Sequence, residues 1–264
     1  MVSAACFFAL MAASSKMLPD ISSLEKVFVR SLISVALTIA MIRSSGNWVP
    51  PVRKQLLLWR AVFGFIGLVC YFECIARIPL GSAVTVYNTT PLFAALIGVV
   101  FLGEKLRWLR GVSLLVGLGG VALIKGFTPE VSWPGVFFGM GTALFSAGSY
   151  TLVRMLNRTE HALTIVLVFP LVSIPLSLIG GGHTFRMPVG MEWLWLLALG
   201  ITVQIAQVCL TYGLKYHTAS RATQISFVGV IFAMLLGSFL GDGLPGWAQL
   251  VGAGLVFLSL SLGR

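Results

Sequence analysis

Arg30 lies some eight residues into an apolar stretch that begins near residue 22. A planar, permanently charged guanidinium suits a carboxylate or phosphate. At a helix centre in a bilayer an ionisable group costs on the order of 2.5–3.5 kcal/mol on insertion scales, so Arg30 reads first as functional. Two structural alternatives stand beside that reading: an internal ion pair with Glu25 or Glu73, or a side chain that snorkels to the surface. Uncharged polar residues interrupt other apolar stretches: Tyr87, Asn88, Thr89 and Thr90; Ser146, Ser149 and Tyr150; Gln204, Gln207 and Tyr212; Gln224 and Ser226. With Arg30, the candidate substrate-binding residues are Tyr87, Asn88, Tyr150, Gln204, Gln207 and Gln224. Gln204 and Gln207 are three apart and share a helix face, which lets both amides point inward. Hydrogen bonding between helices is the structural alternative for all of them. Pro91 lacks an N–H and is expected to bend its helix, freeing a carbonyl to face ligand or water.

Glu73 is the candidate proton-coupling group, since burial raises a carboxyl pKa toward neutrality. It sits four residues before Arg77, so an ordinary i,i+4 ion pair competes with that role. Lys16 marks either a cavity mouth or the outer surface. No nucleophile–base pair, paired carboxylates, phosphate loop or metal cluster emerges, so neither an enzyme nor a cofactor is expected. His161, His183 and His217 are scattered, and Cys6, Cys70, Cys74 and Cys209 lie in apolar stretches as small packing residues. The Gly135/Gly139 and Gly237/Gly241 spacings let helices approach closely.

These residues must be positioned by membrane helices. Of 264 residues, 58% are hydrophobic and 10% charged, against roughly 45–50% and 25% in soluble domains. A spanning helix takes about 20 residues, and ten apolar stretches are expected at 2–17, 22–42, 56–77, 80–102, 108–125, 133–154, 161–180, 191–213, 218–240 and 245–262. The first is read as a helix rather than a signal peptide, since no basic segment precedes it. The net charge of +10 reflects loop Lys and Arg rather than nucleic-acid binding. With both ends on one side, that side collects twelve basic residues, Arg60, Arg154 and Lys215 among them, against five opposite, Lys16 and Arg186 among them. The bias places both termini in the cytoplasm.

The stretches Arg77-Ile-Pro-Leu-Gly-Ser-Ala and Lys215-Tyr-His-Thr-Ala-Ser-Arg start 138 residues apart. The acidic endings Leu102-Gly103-Glu104 and Leu240-Gly241-Asp242 have the same separation. Two five-helix repeats follow, at 1–125 and 132–262. Five is odd, so the second enters the membrane upside down, as in secondary transporters whose halves enclose a midplane site. The expected fold is therefore an all-α membrane protein, ten transmembrane helices as two inverted five-helix repeats around a central cavity.

The run Glu25-Lys26-Val27-Phe28-Val29-Arg30, the turn Ile78-Pro79-Leu80-Gly81-Ser82-Ala83 and the run Thr89-Thr90-Pro91-Leu92-Phe93-Ala94 leading to Glu104 resemble the EamA-type members of the drug/metabolite transporter superfamily. The second half matches more loosely, with Asp242 for the usual Glu and no Pro where the first half has Pro91. The resemblance implies a two-repeat transporter with a central cavity, and leaves the substrate open. Together with Arg30 it points to a secondary transporter for a small polar, anionic or zwitterionic metabolite, such as an amino acid, working by alternating access. Export of amphiphilic drugs or metabolites is the alternative. A non-transporting interaction protein or an intramembrane enzyme is the reading from another class. The expected partners are a small-molecule substrate and the lipid bilayer, with no nucleic acid; a homodimer is left open. The expected location is the bacterial inner membrane.

Overall fold

The computed structural model describes residues 2–46, 50–90, 92–94, 96–97, 108–127, 131–216 and 228–262. Among them it contains ten α-helices: α1 (Val2–Lys16), α2 (Ser23–Ser45), α3 (Lys54–Arg77), α4 (Leu80–Tyr87), α5 (Trp108–Phe127), α6 (Trp133–Leu156), α7 (Ala162–Gly181), α8 (Glu192–Tyr216), α9 (Val228–Phe239) and α10 (Trp247–Leu262). Five of them, α2, α3, α6, α7 and α8, are long and apolar enough to cross a membrane.

Local chemistry sets several helix ends. Ser22 caps α2 by accepting the Glu25 N–H, and Gly46 ends that helix in the left-handed conformation at φ 65°. Ser132 caps α6 in the same way, accepting the Gly135 N–H, with Pro134 in the first turn. The fourth apolar stretch, expected as one helix over 80–102, instead leaves the helix at Asn88 and Thr89, and its backbone is helical again at Thr90. A proline at 91 has no N–H for the Tyr87 carbonyl, and the Thr90 hydroxyl donates to that carbonyl instead. Pro91 itself lies outside the described residues.

The helices pack in a recurring pattern. α3 packs on α6 as α8 packs on α1; α4 on α6 as α9 on α1; α2 on α8 as α7 on α3. The pairs α2–α7, α4–α9 and α5–α10 join elements five apart in order. Glycines set these distances. A Cβ on Gly139 would fall 2.7 Å from Val86 Cγ1 and 3.1 Å from Cys74 Sγ, and one on Gly120 would fall 2.7 Å from the Gly252 carbonyl. Gly237 packs similarly, near Leu80 Cβ, whereas Gly241 turns the chain at φ 92° with open space around it. Gly139→Leu should therefore destabilise the bundle by about 1–3 kcal/mol through overpacking. Thermal unfolding in detergent checks this, and an unchanged melting temperature would mean that α6 backs away from α4 at no cost.

The core joins α1, α3, α4, α6 and α8 through Met11, Phe72, Leu80, Val136 and Leu199, while Phe137, Ile179 and Phe239 stand outward at 77%, 82% and 87% exposure. Apolar residues so placed carry no penalty when the surrounding medium is hydrocarbon.

Candidate functional site

Among the described residues, two arginines are buried within the bundle. Arg30, on the second turn of α2, is 1% exposed, and Arg60, on the second turn of α3, is 3% exposed. Both converge on one side chain of α7: the Cζ of Arg30 is 4.8 Å and that of Arg60 4.3 Å from the centre of the Phe169 ring. Among the described residues, Nε and Nη1 of each arginine have no hydrogen-bond partner. Arg60 Nη2 donates to Gln207 Oε1 at 3.3 Å, and the Ser149 hydroxyl donates to the Arg60 carbonyl at 3.2 Å. A buried charge normally keeps a counter-charge, because stripping it of water costs several kcal/mol.

The acidic residues are engaged elsewhere. Glu25 accepts the Arg186 N–H at 3.3 Å, and Glu73 pairs with Arg77. Glu160 accepts the N–H groups of Val52 and Arg53 at the start of α3. Glu192 pairs with Arg186 and accepts the Val189 N–H. Asp242 pairs with Lys16 and accepts the Leu80 N–H at 2.8 Å. Asp20 is exposed in the α1–α2 turn; Glu104 and Glu130 lie outside the described residues. Both structural alternatives for Arg30 are thereby set aside, since Glu25 and Glu73 hold other partners and the side chain does not reach the surface.

Arg60 lines a cavity of about 50 Å³ with Phe169, Gln207, Tyr71, Tyr87 and Tyr150. The Tyr87 and Tyr150 hydroxyls are hydrogen-bonded to each other, and the Tyr71 ring lies 5.3 Å from that of Tyr87. A second cavity of about 50 Å³ shares these three tyrosines and adds Asn88, Leu210 and Gly229. The tyrosines thus form a common wall. One water needs roughly 10–15 Å³ of such space, so each chamber has room for a few waters.

Of the residues singled out from sequence, Tyr87, Tyr150 and Gln207 meet around the first cavity, and Asn88 lines the second while its amide donates to the Val84 carbonyl at 2.7 Å. Arg30 does not line the cavity but touches its wall through Phe169. Gln204 is buried between α2 and α8, donating to the Thr38 hydroxyl at 2.8 Å, and lines neither cavity. Glu73 lines neither as well, and Gln224 lies outside the described residues. Sequence reasoning passed over Arg60, Tyr71 and Phe169. Arg60 was pooled with loop charges, although it sits as deep in α3 as Arg30 does in α2.

The EamA-like transporter family model matches the chain twice, at residues 1–126 and 133–262. The pseudopaline exporter of Pseudomonas aeruginosa is 33% identical over 214 residues, covering 79% of this chain and 74% of that one. An uncharacterized transporter of Helicobacter pylori is 26% identical over 265 residues, covering 96% and 89%. The riboflavin transporter of Vibrio cholerae is 23% identical over 216 residues, covering 80% and 72%. A crystal structure at 22% identity superposes with a TM-score of 0.69 over 100% of this chain and 96% of that chain, a likeness of fold. On the two matched segments, which take in nearly the whole sequence, the chain belongs to the EamA-like transporter family.

Proposed function

We propose that the protein is a secondary active transporter carrying a small anionic or zwitterionic metabolite, an amino acid or related compound, by alternating access. The observation that carries this is a pair of buried guanidiniums, Arg30 and Arg60, with no carboxylate beside them among the described residues. The positive charge is left for a ligand to neutralise, and Gln207, Tyr87 and Tyr150 offer it neutral hydrogen-bonding groups nearby.

Two repeats, 1–125 and 132–262, fit the double family match and the packing pairs that recur with a shift of five helices. Inversion follows from an odd number of spans in each half. The excess of Lys and Arg supports cytoplasmic termini in a bacterial inner membrane. Outward flux is a second reading, favoured by the relative that exports pseudopaline. Glu73 would serve a proton-coupled cycle by releasing Arg77; uptake indifferent to a collapsed pH gradient would remove it from that role.

The test is uptake of labelled amino acids and carboxylates into proteoliposomes. Gln207→Leu should lower uptake of the transported anion about tenfold, the loss of one hydrogen bond to a charged group. Gln204→Leu should leave uptake near the wild-type level and cost about 0.6 kcal/mol of stability, typical of interhelical hydrogen bonds in membranes. Selective uptake of cations instead would sink the proposal.

A further inference from the structure

We propose that Arg30 and Arg60 together form the site for a short dicarboxylate, and that Phe169 fills the space between the two charges when the site is empty. This rests on the anionic-substrate reading above and adds the number of charges and their arrangement.

The charge count is the first ground. Among the described residues two guanidiniums are buried, and no ion pair joins either to a described acidic residue. A monoanion bound at Arg60 leaves Arg30 still uncompensated, whereas a dianion neutralises both. Geometry is the second. Each Cζ lies within 5 Å of one ring centre, so the two carbons are separated by no more than the sum of those distances, about 9 Å. A flexible diacid such as glutarate has a charged group at each end and an apolar linker. The surfaces available to that linker are apolar too: Met11, Leu68 and the Phe169 ring all line the cavity.

The third ground is what now occupies both arginines. A ring face within reach of a guanidinium is a weak stand-in for an anion, and it offers nothing to the four unpartnered N–H-bearing atoms. Bidentate carboxylates supply those acceptors. Phe169 lines the cavity and touches both arginines, while Arg30 does not line it. It is therefore the side chain that must turn for a ligand beside Arg60 to reach Arg30. The ring rests on Gly64, where a Cβ would fall 2.9 Å from Phe169 Cε2.

Binding is measured by calorimetry on the full chain in lipid nanodiscs, with glutarate, valerate and inorganic phosphate as probes. Glutarate should bind at least about tenfold tighter than valerate. Arg30→Gln and Arg60→Gln should each bring glutarate down to the level of valerate. Arg30→Lys and Arg60→Lys, which keep the charge and lose the planar fork, take their place if the glutamine variants do not fold, and should weaken glutarate in the same direction. Equal binding of glutarate and valerate, or glutarate binding indifferent to Arg30, overturns the dicarboxylate site and leaves the anionic-substrate reading standing. Phosphate binding tighter than glutarate, with the same dependence on both arginines, overturns it in favour of a compact anion. Binding of none of the three removes both.

Discussion

Arg60→Met should raise the stability of the protein while cutting uptake of the proposed anionic substrate on the order of 100-fold. The two effects have one cause. Arg60 is 3% exposed, and among the described residues its guanidinium makes one hydrogen bond, to Gln207, and lies over the Phe169 ring. A buried ion without a counter-charge carries a desolvation cost of several kcal/mol, which an apolar side chain of similar length avoids. In the proposed site the same guanidinium would face a desolvated anion and supply about 2–5 kcal/mol of binding; a loss of about 3 kcal/mol is on the order of 100-fold in uptake at subsaturating substrate. Thermal unfolding and proteoliposome uptake of one preparation check both halves. A variant that unfolds earlier yet still transports would make Arg60 a structural residue.

Asp242→Asn should act at the other end of the bundle. Asp242 holds three elements together: its carboxylate pairs with Lys16 at the end of α1, accepts the Leu80 N–H at the start of α4, and follows the end of α9. The amide retains hydrogen bonding and loses the charge, leaving the Lys16 ammonium without its partner. The two side chains are 22% and 15% exposed, so solvent screens part of the interaction, and the loss should be about 1 kcal/mol. The larger effect is on access. Ser15, the neighbour of Lys16, is 1% exposed. A cysteine placed there, in a background free of native cysteines, should react with a membrane-impermeant maleimide about fivefold faster once Asp242 is neutralised, for about 1 kcal/mol is about fivefold in an opening equilibrium. Unchanged labelling would reduce the trio to an ordinary surface contact.

The ten apolar stretches correspond in order to the ten described helices, because each is a long run bounded by Gly, Pro or charge, and such punctuation is written locally. Arg60 shows where that kind of reading stops. The third helix was expected to start at 56 and starts at Lys54, which carries Arg60 two residues deeper than a loop charge should be. Its convergence with Arg30 on Phe169 joins three helices at positions that no spacing connects. The glutamine pair teaches the same lesson on a smaller scale. Residues three apart on a helix fall about 60° short of a full turn. That offset is enough to send Gln207 to the cavity and Gln204 to Thr38 on α2. The broken fourth helix was foreseen in kind but not in place, because proline acts backward on the carbonyl four residues earlier, that of Tyr87.

The hydrogen-bonded hydroxyls of Tyr87 and Tyr150 belong to both cavities, and that has a consequence for whatever crosses from one chamber to the other. Parting the two phenols leaves each in need of a new partner, at about 1–3 kcal/mol for every group left unsatisfied. A passenger that donates or accepts hydrogen bonds heals the breach as it moves through. A hydrocarbon of the same size does not, and meets a barrier that the first never sees. In the proposed transport cycle the wall would act as a sieve whose mesh is chemical, sorting by bonding capacity before bulk.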